Sequence, residues 1–279
     1  DLDSIVAQFS GENVYDDPWR MVNTNKRMVC AIQKVNGSPV GSGTLILKNY
    51  FGYHVIISAD HVLKKLVQAG QINLVAVFNH YYKNPENCPK HLLDGSAYRL
   101  LNYIHRISEH DLAIGFIDPN QKEWGPAINF NTIPVTPLSF YNPVINQPVV
   151  MIGFSRKCDD IDCDGHMRGG DGFILHNNFF KSYAGYRIYG VKHSIDAVNG
   201  ASGSGLLDIF GTILGIHTYY DNYFDYSGGT NIYNLVKNNN YSFFNSLVES
   251  NLYQAHPNEH LVIVRLSGQS IDGGTIRVI

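Results

Sequence analysis

The sequence predicts an all-β fold built from two packed β-barrels. Three observations favour it: short β-branched and aromatic runs recur along the chain, turn-forming residues separate them, and helical periodicity is scarce. A chain of 279 residues is long enough for two such units. The predicted strands are Met28–Val35, Gly43–Leu47, His54–Ser58, Leu74–Phe78, Leu112–Ile117, Pro148–Phe154, Gly205–Leu207 and Ile213–Thr218.

A proline-rich stretch from Asp118 to Pro148 indicates the boundary between the two barrels. Prolines at this density resist regular structure, so the stretch is expected to be a linker. We place the boundary near residue 130. The expected units are an N-terminal extension (1–27), a first barrel (28–130), a second barrel with a C-terminal helix (131–250) and a C-terminal extension (251–279).

Two helical segments and an extra hairpin are expected within this frame. Asp60–Ala69 follows a predicted strand and is expected to form a turn or two of helix. Asn234–Ser250 has apolar residues at helical spacing and is predicted as the C-terminal helix. Leu261–Leu266 and Thr275–Ile279 flank a turn-like Asp-Gly-Gly, which predicts a terminal β-hairpin.

Composition and charge narrow the function classes. The chain is 44% hydrophobic and 16% charged, an ordinary globular composition. A net charge of −3 gives no electrostatic basis for binding nucleic acid, and no apolar run reaches the roughly 20 residues that span a bilayer. The cysteines, Cys30, Cys88, Cys158 and Cys163, are too few for a disulfide framework, although the last two are close enough in sequence to bridge a loop.

Three segments carry residues suited to acyl transfer. Ser202 lies among small residues, where a tight turn exposes its hydroxyl and lets the N–H groups of Gly200 and Ser202 point at one spot, as an oxyanion hole requires. His61 directly follows a predicted strand, a rigid position for a general base. Asp111 opens an apolar run, where it can accept a hydrogen bond from an imidazole. Each segment alone also fits a purely structural role.

Taken together, the three segments resemble a known family. The order is His61, Asp111, Ser202, with separations of 50 (111 − 61) and 91 (202 − 111) residues. Segments 58–61, 111–114 and 200–203 read Ser-Ala-Asp-His, Asp-Leu-Ala-Ile and Gly-Ala-Ser-Gly. They resemble the T/S-A-A-H, D-[IL]-A and G-x-S-G motifs of the trypsin/chymotrypsin superfamily of serine peptidases. The resemblance covers roughly residues 28 to 250.

This resemblance implies two six-stranded antiparallel β-barrels, with His61, Asp111 and Ser202 as the catalytic triad. It also implies an oxyanion hole formed by the N–H groups of Gly200 and Ser202. The substrate would be a protein or peptide, and the chemistry requires no cofactor.

Within the superfamily, the chain is more similar to glutamyl-endopeptidase-like, HtrA-like and viral chymotrypsin-like enzymes than to digestive trypsins. Val62 and Val198 stand where the digestive enzymes carry cysteines, and Ala201 stands where they carry the Asp of zymogen activation. By this similarity, we expect a secreted or virus-associated protein rather than a cytoplasmic housekeeping one.

Two residues give conflicting indications about specificity. His217, 15 residues after Ser202 (217 − 202), lies in a segment that resembles the Gly-Ile-His segment of glutamyl endopeptidases and picornain-like enzymes, which implies Glu or Gln at P1. Asp196 lies where trypsins carry the acid that binds Arg or Lys. An unpaired buried charge is costly, so a pair between Asp196 and His217 is an alternative, as is simple packing of His217. We favour an acidic or amide P1 side chain.

An acidic loop matches a calcium-binding pattern. Asp160, Asp162 and Asp164 follow the D-x-D-x-D-G spacing, and Asp171 occupies the twelfth place. The pattern predicts a structural calcium site, although the strand-like flanks exclude an EF-hand. The alternative is an acidic surface loop without metal.

The leading functional hypothesis from the sequence is an active serine endopeptidase. One alternative is a protease-fold structural component, for example of a virus particle, that cleaves itself or is catalytically silent and acts mainly in protein–protein interaction. An esterase is another, because the acyl-transfer chemistry is the same. The complete His–Asp–Ser set argues against a silent protein.

Overall fold

Two closed, six-stranded antiparallel β-barrels contain the described strands. The computed structural model describes residues 22, 24–35, 39–68, 72–79, 95–154, 167–197, 200–221, 226–237 and 240–257. The strand order is β1-β2-β3-β6-β5-β4 in the first barrel and β10-β11-β12-β9-β8-β7 in the second. The strands are β1 (Val29–Lys34), β2 (Pro39–Tyr50), β3 (Tyr53–Ala59), β4 (Leu74–Phe78), β5 (Ser96–Ile107), β6 (Leu112–Trp124), β7 (Pro148–Phe154), β8 (Met167–Tyr183), β9 (Tyr186–His193), β10 (Gly205–Leu207), β11 (Ile213–Asp221) and β12 (Tyr226–Asn231).

A continuous apolar core joins the two barrels. Ile57 and Ile114 of the first barrel belong to the same buried cluster as Phe154 and Leu207 of the second. A fully buried side chain of this size contributes about 1.5–3 kcal/mol. The interface between the barrels is therefore a packed hydrophobic layer. This layer fixes the relative positions of the strand ends that carry the polar residues.

Helices are short except at the C-terminal end of the described chain. They are α1 (Asp60–Leu63), which continues as a 3₁₀ turn at Lys64–Leu66, α2 (Ile232–Lys237) and α3 (Ser242–Ala255). The amide of Asn251 on α3 donates to Ile46 O (2.6 Å) and Thr136 O (2.9 Å), which anchors this helix to β2 and the inter-barrel segment. Within the described ranges, every helix is too short or too polar to cross a membrane.

The structure confirms the β fold class and corrects two local expectations. The stretch from Asp118 is not irregular throughout, because β6 continues to Trp124. Pro119 is accommodated since the β5–β6 ladder shifts register here, where a missing N–H breaks no regular pair. The single helix predicted at Asn234–Ser250 is wrong: α2 ends at Lys237, and α3 begins at Ser242 and continues to Ala255. The predicted terminal hairpin and most of both terminal extensions lie outside the described residues.

Candidate active site

Sheet register brings the predicted base and acid together. β3 and β6 are antiparallel, with Ala59 opposite Leu112. The residues just after β3 therefore lie beside those just before β6, and these include His61 and Asp111. Asp111 adopts a left-handed conformation (φ 53°) at the end of a 3₁₀ turn, which turns the chain into β6.

His61 and Asp111 form a two-point contact. His61 Nδ1 lies 2.7 Å from Asp111 Oδ2, and the backbone N–H of His61 donates to Asp111 Oδ1 at 2.8 Å. The Asp111 side chain is fully buried, whereas the His61 side chain is 29% exposed. Because the carboxylate engages Nδ1, Nε2 is the nitrogen left for proton transfer.

Close packing places Ser202 at the same edge of the first barrel. A Cβ atom at Gly41 would lie 2.6 Å from the side chain of Val62 and 2.9 Å from Ser202 O. Gly203 has a φ of +92°, and a Cβ there would lie 2.1 Å from Ser42 O. Only glycine can adopt this positive φ without strain and also leave room for Ser42 O. The serine turn of the second barrel therefore sits directly against the strands that lead to His61.

Ser42 on β2 fastens the serine turn by its backbone and its side chain. Its N–H donates to Ser202 O at 2.8 Å, and its Oγ donates to Gly200 O at 3.2 Å. Ser58 Oγ in turn donates to Ser42 O at 2.7 Å, and the Phe154 N–H donates to Ser42 Oγ at 2.9 Å. Ser42 thus links both barrels to the turn that carries Ser202.

Hydrogen-bonding capacity remains at the serine turn. Among the described residues, no group accepts from the N–H of Gly200 or of Ser202, and no hydrogen bond joins His61 Nε2 to Ser202 Oγ. The geometry leaves two N–H donors and one imidazole nitrogen available around Ser202.

His217 pairs with another histidine rather than with Asp196. Its Nδ1 lies 3.3 Å from His193 Nε2, and both residues are buried. Asp196 is exposed to solvent, so the suggested Asp196–His217 pair does not form. Burial, with a smaller contribution from His61, lowers the pKa of His217 to about 3, and burial also lowers the pKa of His193. Both rings are therefore uncharged at neutral pH.

Comparison with solved structures identifies the fold. The model is similar to Deg5 (TM-score 0.54, 16% identity, 82% of this chain and 95% of that chain). It is also similar to the Rv3671c protease from M. tuberculosis in its active form (0.53, 15%, 77% and 82%) and to the MamO protease domain from Magnetospirillum magneticum (0.52, 16%, 76% and 95%). The chain has the trypsin/chymotrypsin fold. No protein-family model and no curated protein sequence matches this trypsin/chymotrypsin-fold chain.

The calcium hypothesis falls almost entirely on undescribed residues. Asp160, Asp162 and Asp164 lie outside the described ranges, and Asp171 is an exposed residue on β8 opposite Val150. Among the described residues, no group of three or more His, Cys, Asp or Glu is arranged to hold a metal ion. The calcium site stays a prediction, and the suggested Cys158–Cys163 bridge also lies outside the described ranges.

Three residues around the site were not found from the sequence. Ser42 fastens the serine turn, His193 pairs with His217, and Asp60 forms a buried ion pair directly before His61. For Asp60 a signal existed, since it is an acid where the family motif has alanine. Ser42 and His193 gave no comparable signal, because their partners are distant in sequence and are brought together only by the barrels.

Proposed function

We propose that this chain is a serine endopeptidase that works through an acyl-enzyme intermediate. Ser202 Oγ attacks the peptide carbonyl while His61 Nε2 takes its proton, and His61 then gives that proton to the leaving amine. Water, activated by the same imidazole, hydrolyses the acyl group from Ser202. The observation that supports this proposal is the meeting of the His61–Asp111 pair with the Ser202 turn at one strand edge.

The N–H groups of Gly200 and Ser202 are proposed as the oxyanion hole. They belong to the turn that Ser42 fastens, and they have no acceptor among the described residues. Donors held in place before the reaction stabilise the developing charge without reorganisation, and each contributes about 3 kcal/mol to barrier lowering. The Gly203 packing that fixes this turn therefore supports catalysis as well as stability.

The preferred P1 side chain is proposed to be Gln or Glu, recognised by His217. His193 Nδ1 has no described hydrogen-bond partner, and a buried unpaired acceptor is more common than a buried unpaired N–H. His193 is therefore assigned as the donor to His217 Nδ1, which leaves an N–H on His217 Nε2. An uncharged N–H donor suits the side-chain oxygen of an amide or a carboxyl group.

Turnover of an added substrate tests the proposed activity. The native chain is expected to hydrolyse an unfolded protein and to release new amino termini catalytically. Ser202→Ala is expected to lower kcat by about 10⁴-fold or more, while Ser204→Ala, in the same turn, is the matched control. Cleavage confined to the chain itself would point to a self-cleaving structural component, and equal activity of Ser202→Ala would contradict the proposal.

Matched peptides that differ only at P1 test the proposed specificity. We expect kcat/KM to be higher for Gln and Glu than for Lys, and His217→Ala to reduce the Gln and Glu values about 10- to 100-fold. A peptide with Ala at P1 reports whether the variant site remains intact. Preference for Lys that disappears in Asp196→Asn would overturn this assignment and favour the trypsin-type alternative.

A further inference from the structure

A buried acid stands directly before the base and is paired with an arginine. The Asp60 side chain is 0% exposed, and its two oxygens accept from Arg106 Nε (2.6 Å) and Nη2 (2.9 Å). A buried carboxylate is tolerated only when its charge and lone pairs are satisfied. The bidentate contact with Arg106 meets that requirement.

The same acid also connects the two barrels. Tyr186, on β9 of the second barrel, donates from its hydroxyl to Asp60 Oδ2 at 3.2 Å. Lys64 Nζ, one turn after His61, donates to the Tyr186 hydroxyl at 2.8 Å. Burial and the charges of Asp111 and Asp60 raise the pKa of Tyr186, so its hydroxyl stays protonated and remains a donor.

This network is joined to the His61–Asp111 pair through the backbone. The Asp60 N–H donates to Asp111 O at 3.1 Å, next to the bond from the His61 N–H to Asp111 Oδ1. A displacement of Asp60 would therefore move the turn on which the imidazole stands. The charged and titratable groups around His61 are Asp60 and Lys64 on its own turn, Asp111 before β6, Arg106 on β5, Tyr186 on β9 and His217 on β11.

We propose that Arg106 is a positioning residue that holds Asp60 in place and cancels its negative charge. The carboxylate of Asp111 is then the uncompensated negative charge beside the His61 ring. This inference rests on the proposed function, in which His61 is the base. Without Arg106, the Asp60 carboxylate would keep its bond from Tyr186 and, while ionised, would stabilise protonated His61. Without the Asp60 charge, Arg106 would disfavour the protonated ring.

The test is an NMR titration of the His61 ring in the full chain, identified by the signal lost in His61→Gln. Arg106→Gln is expected to move the midpoint to higher pH and Asp60→Asn to lower pH, each by about 0.5 pH unit. Arg106→Lys restores the cation and is expected to return the midpoint toward the native value. The Asp60→Asn/Arg106→Gln double variant is expected to titrate close to the native chain.

Arg99→Gln is the matched control. Arg99 lies on the same strand, pairs with Glu123 at 2.6 Å and has a side chain 41% exposed, against 39% for Arg106. It is seven residues away (106 − 99), about 20 Å along β5, where salt screens its charge. No shift is expected for this variant.

The titration is read without catalysis, so its result is separate from the test of peptidase activity. Coincident midpoints in native, Arg106→Gln and Asp60→Asn chains would overturn the proposal, as would shifts in the same direction. If Asp60→Asn fails to fold, Arg106→Gln and Arg106→Lys, altered at a partly exposed residue, decide the question. The pH dependence of Ser202 acylation should move in parallel with the midpoints.

Discussion

The two barrels bring different kinds of buried polar groups to the neighbourhood of the serine turn. In the first barrel, Asp111 contacts His61 and Asp60 contacts Arg106, so each buried carboxylate faces a basic partner. In the second barrel, His193 and His217 face each other as uncharged rings. The first barrel carries the proposed proton-transfer pair, and the second carries the serine turn and a neutral, buried pair of histidines.

The buried histidines predict that the stability of the second barrel depends on pH. A buried carboxylate needs a partner for its charge, and the basic partners of the first barrel meet that need. Buried imidazoles are stabilised only while they remain neutral, so they make the second barrel sensitive to acid. Acid should therefore destabilise the second barrel through these two rings.

The largest expected effect is at the acid of the first barrel. Asp111→Asn keeps the shape of the side chain but allows its amide to favour the wrong imidazole tautomer, so kcat is expected to fall by about 10⁴-fold. Peptide hydrolysis at neutral pH measures this effect. Asp118→Asn, seven residues further along (118 − 111), is the control. A loss of less than tenfold in Asp111→Asn would contradict the role assigned to Asp111.

A smaller effect is expected where the serine turn meets the first barrel. Gly203 and Gly52 both have positive φ, +92° and +86°, but a Cβ at Gly203 would meet Ser42 O at 2.1 Å, whereas Gly52 has nothing within 4 Å. Gly52→Ala is expected to cost about 1 kcal/mol of unfolding free energy from backbone strain alone. Gly203→Ala is expected to cost about 3 kcal/mol, because the clash adds to the strain. Equal losses of unfolding free energy in the two variants, measured by denaturant unfolding, would contradict the close packing of Gly203 against Ser42.

The smallest of the three effects is the acid sensitivity of the second barrel. Below its ordinary pKa of 6.5, the unfolded chain protonates His217, but the folded chain does so only near pH 3. The stabilisation that comes from keeping His217 neutral is therefore complete above pH 6.5. It is lost as pH falls toward 3, and about 2 kcal/mol is lost at pH 5. His217→Gln should reduce the stability difference between pH 7.5 and pH 5 in urea unfolding, while variation of the exposed His176 should not. An unchanged slope in His217→Gln would show that the buried ring is not responsible.

Much of the fold could be predicted from local patterns. Leu74–Phe78, Pro148–Phe154 and Gly205–Leu207 match the observed strands residue for residue, because short apolar runs with turn residues at their ends have little alternative to a buried strand. The long β8–β9 hairpin was not predicted. Many of its β8 side chains are exposed, as Phe173 and Phe180 are, so it lacks the apolar run that marks the other strands.

The site was predictable only in part. The triad candidates His61, Asp111 and Ser202 each follow or precede a recognisable strand, so motif order and spacing point to them. The alternative in which His217 pairs with Asp196 is wrong, because Asp196 is exposed in the fold and His217 is buried against His193. His193 is 24 residues from His217 and Arg106 is 46 from Asp60; sheet register, which local sequence does not encode, brings these partners together.

The most direct test of the central claim is covalent labelling with a fluorophosphonate, followed by peptide mass spectrometry. We expect one adduct, on Ser202, in the native chain, and loss of labelling in both Ser202→Ala and His61→Ala. Circular dichroism would check that both variants keep the β fold. Labelling that is equal in all three chains, absent from all of them, or located on another serine would contradict a site in which His61 activates Ser202.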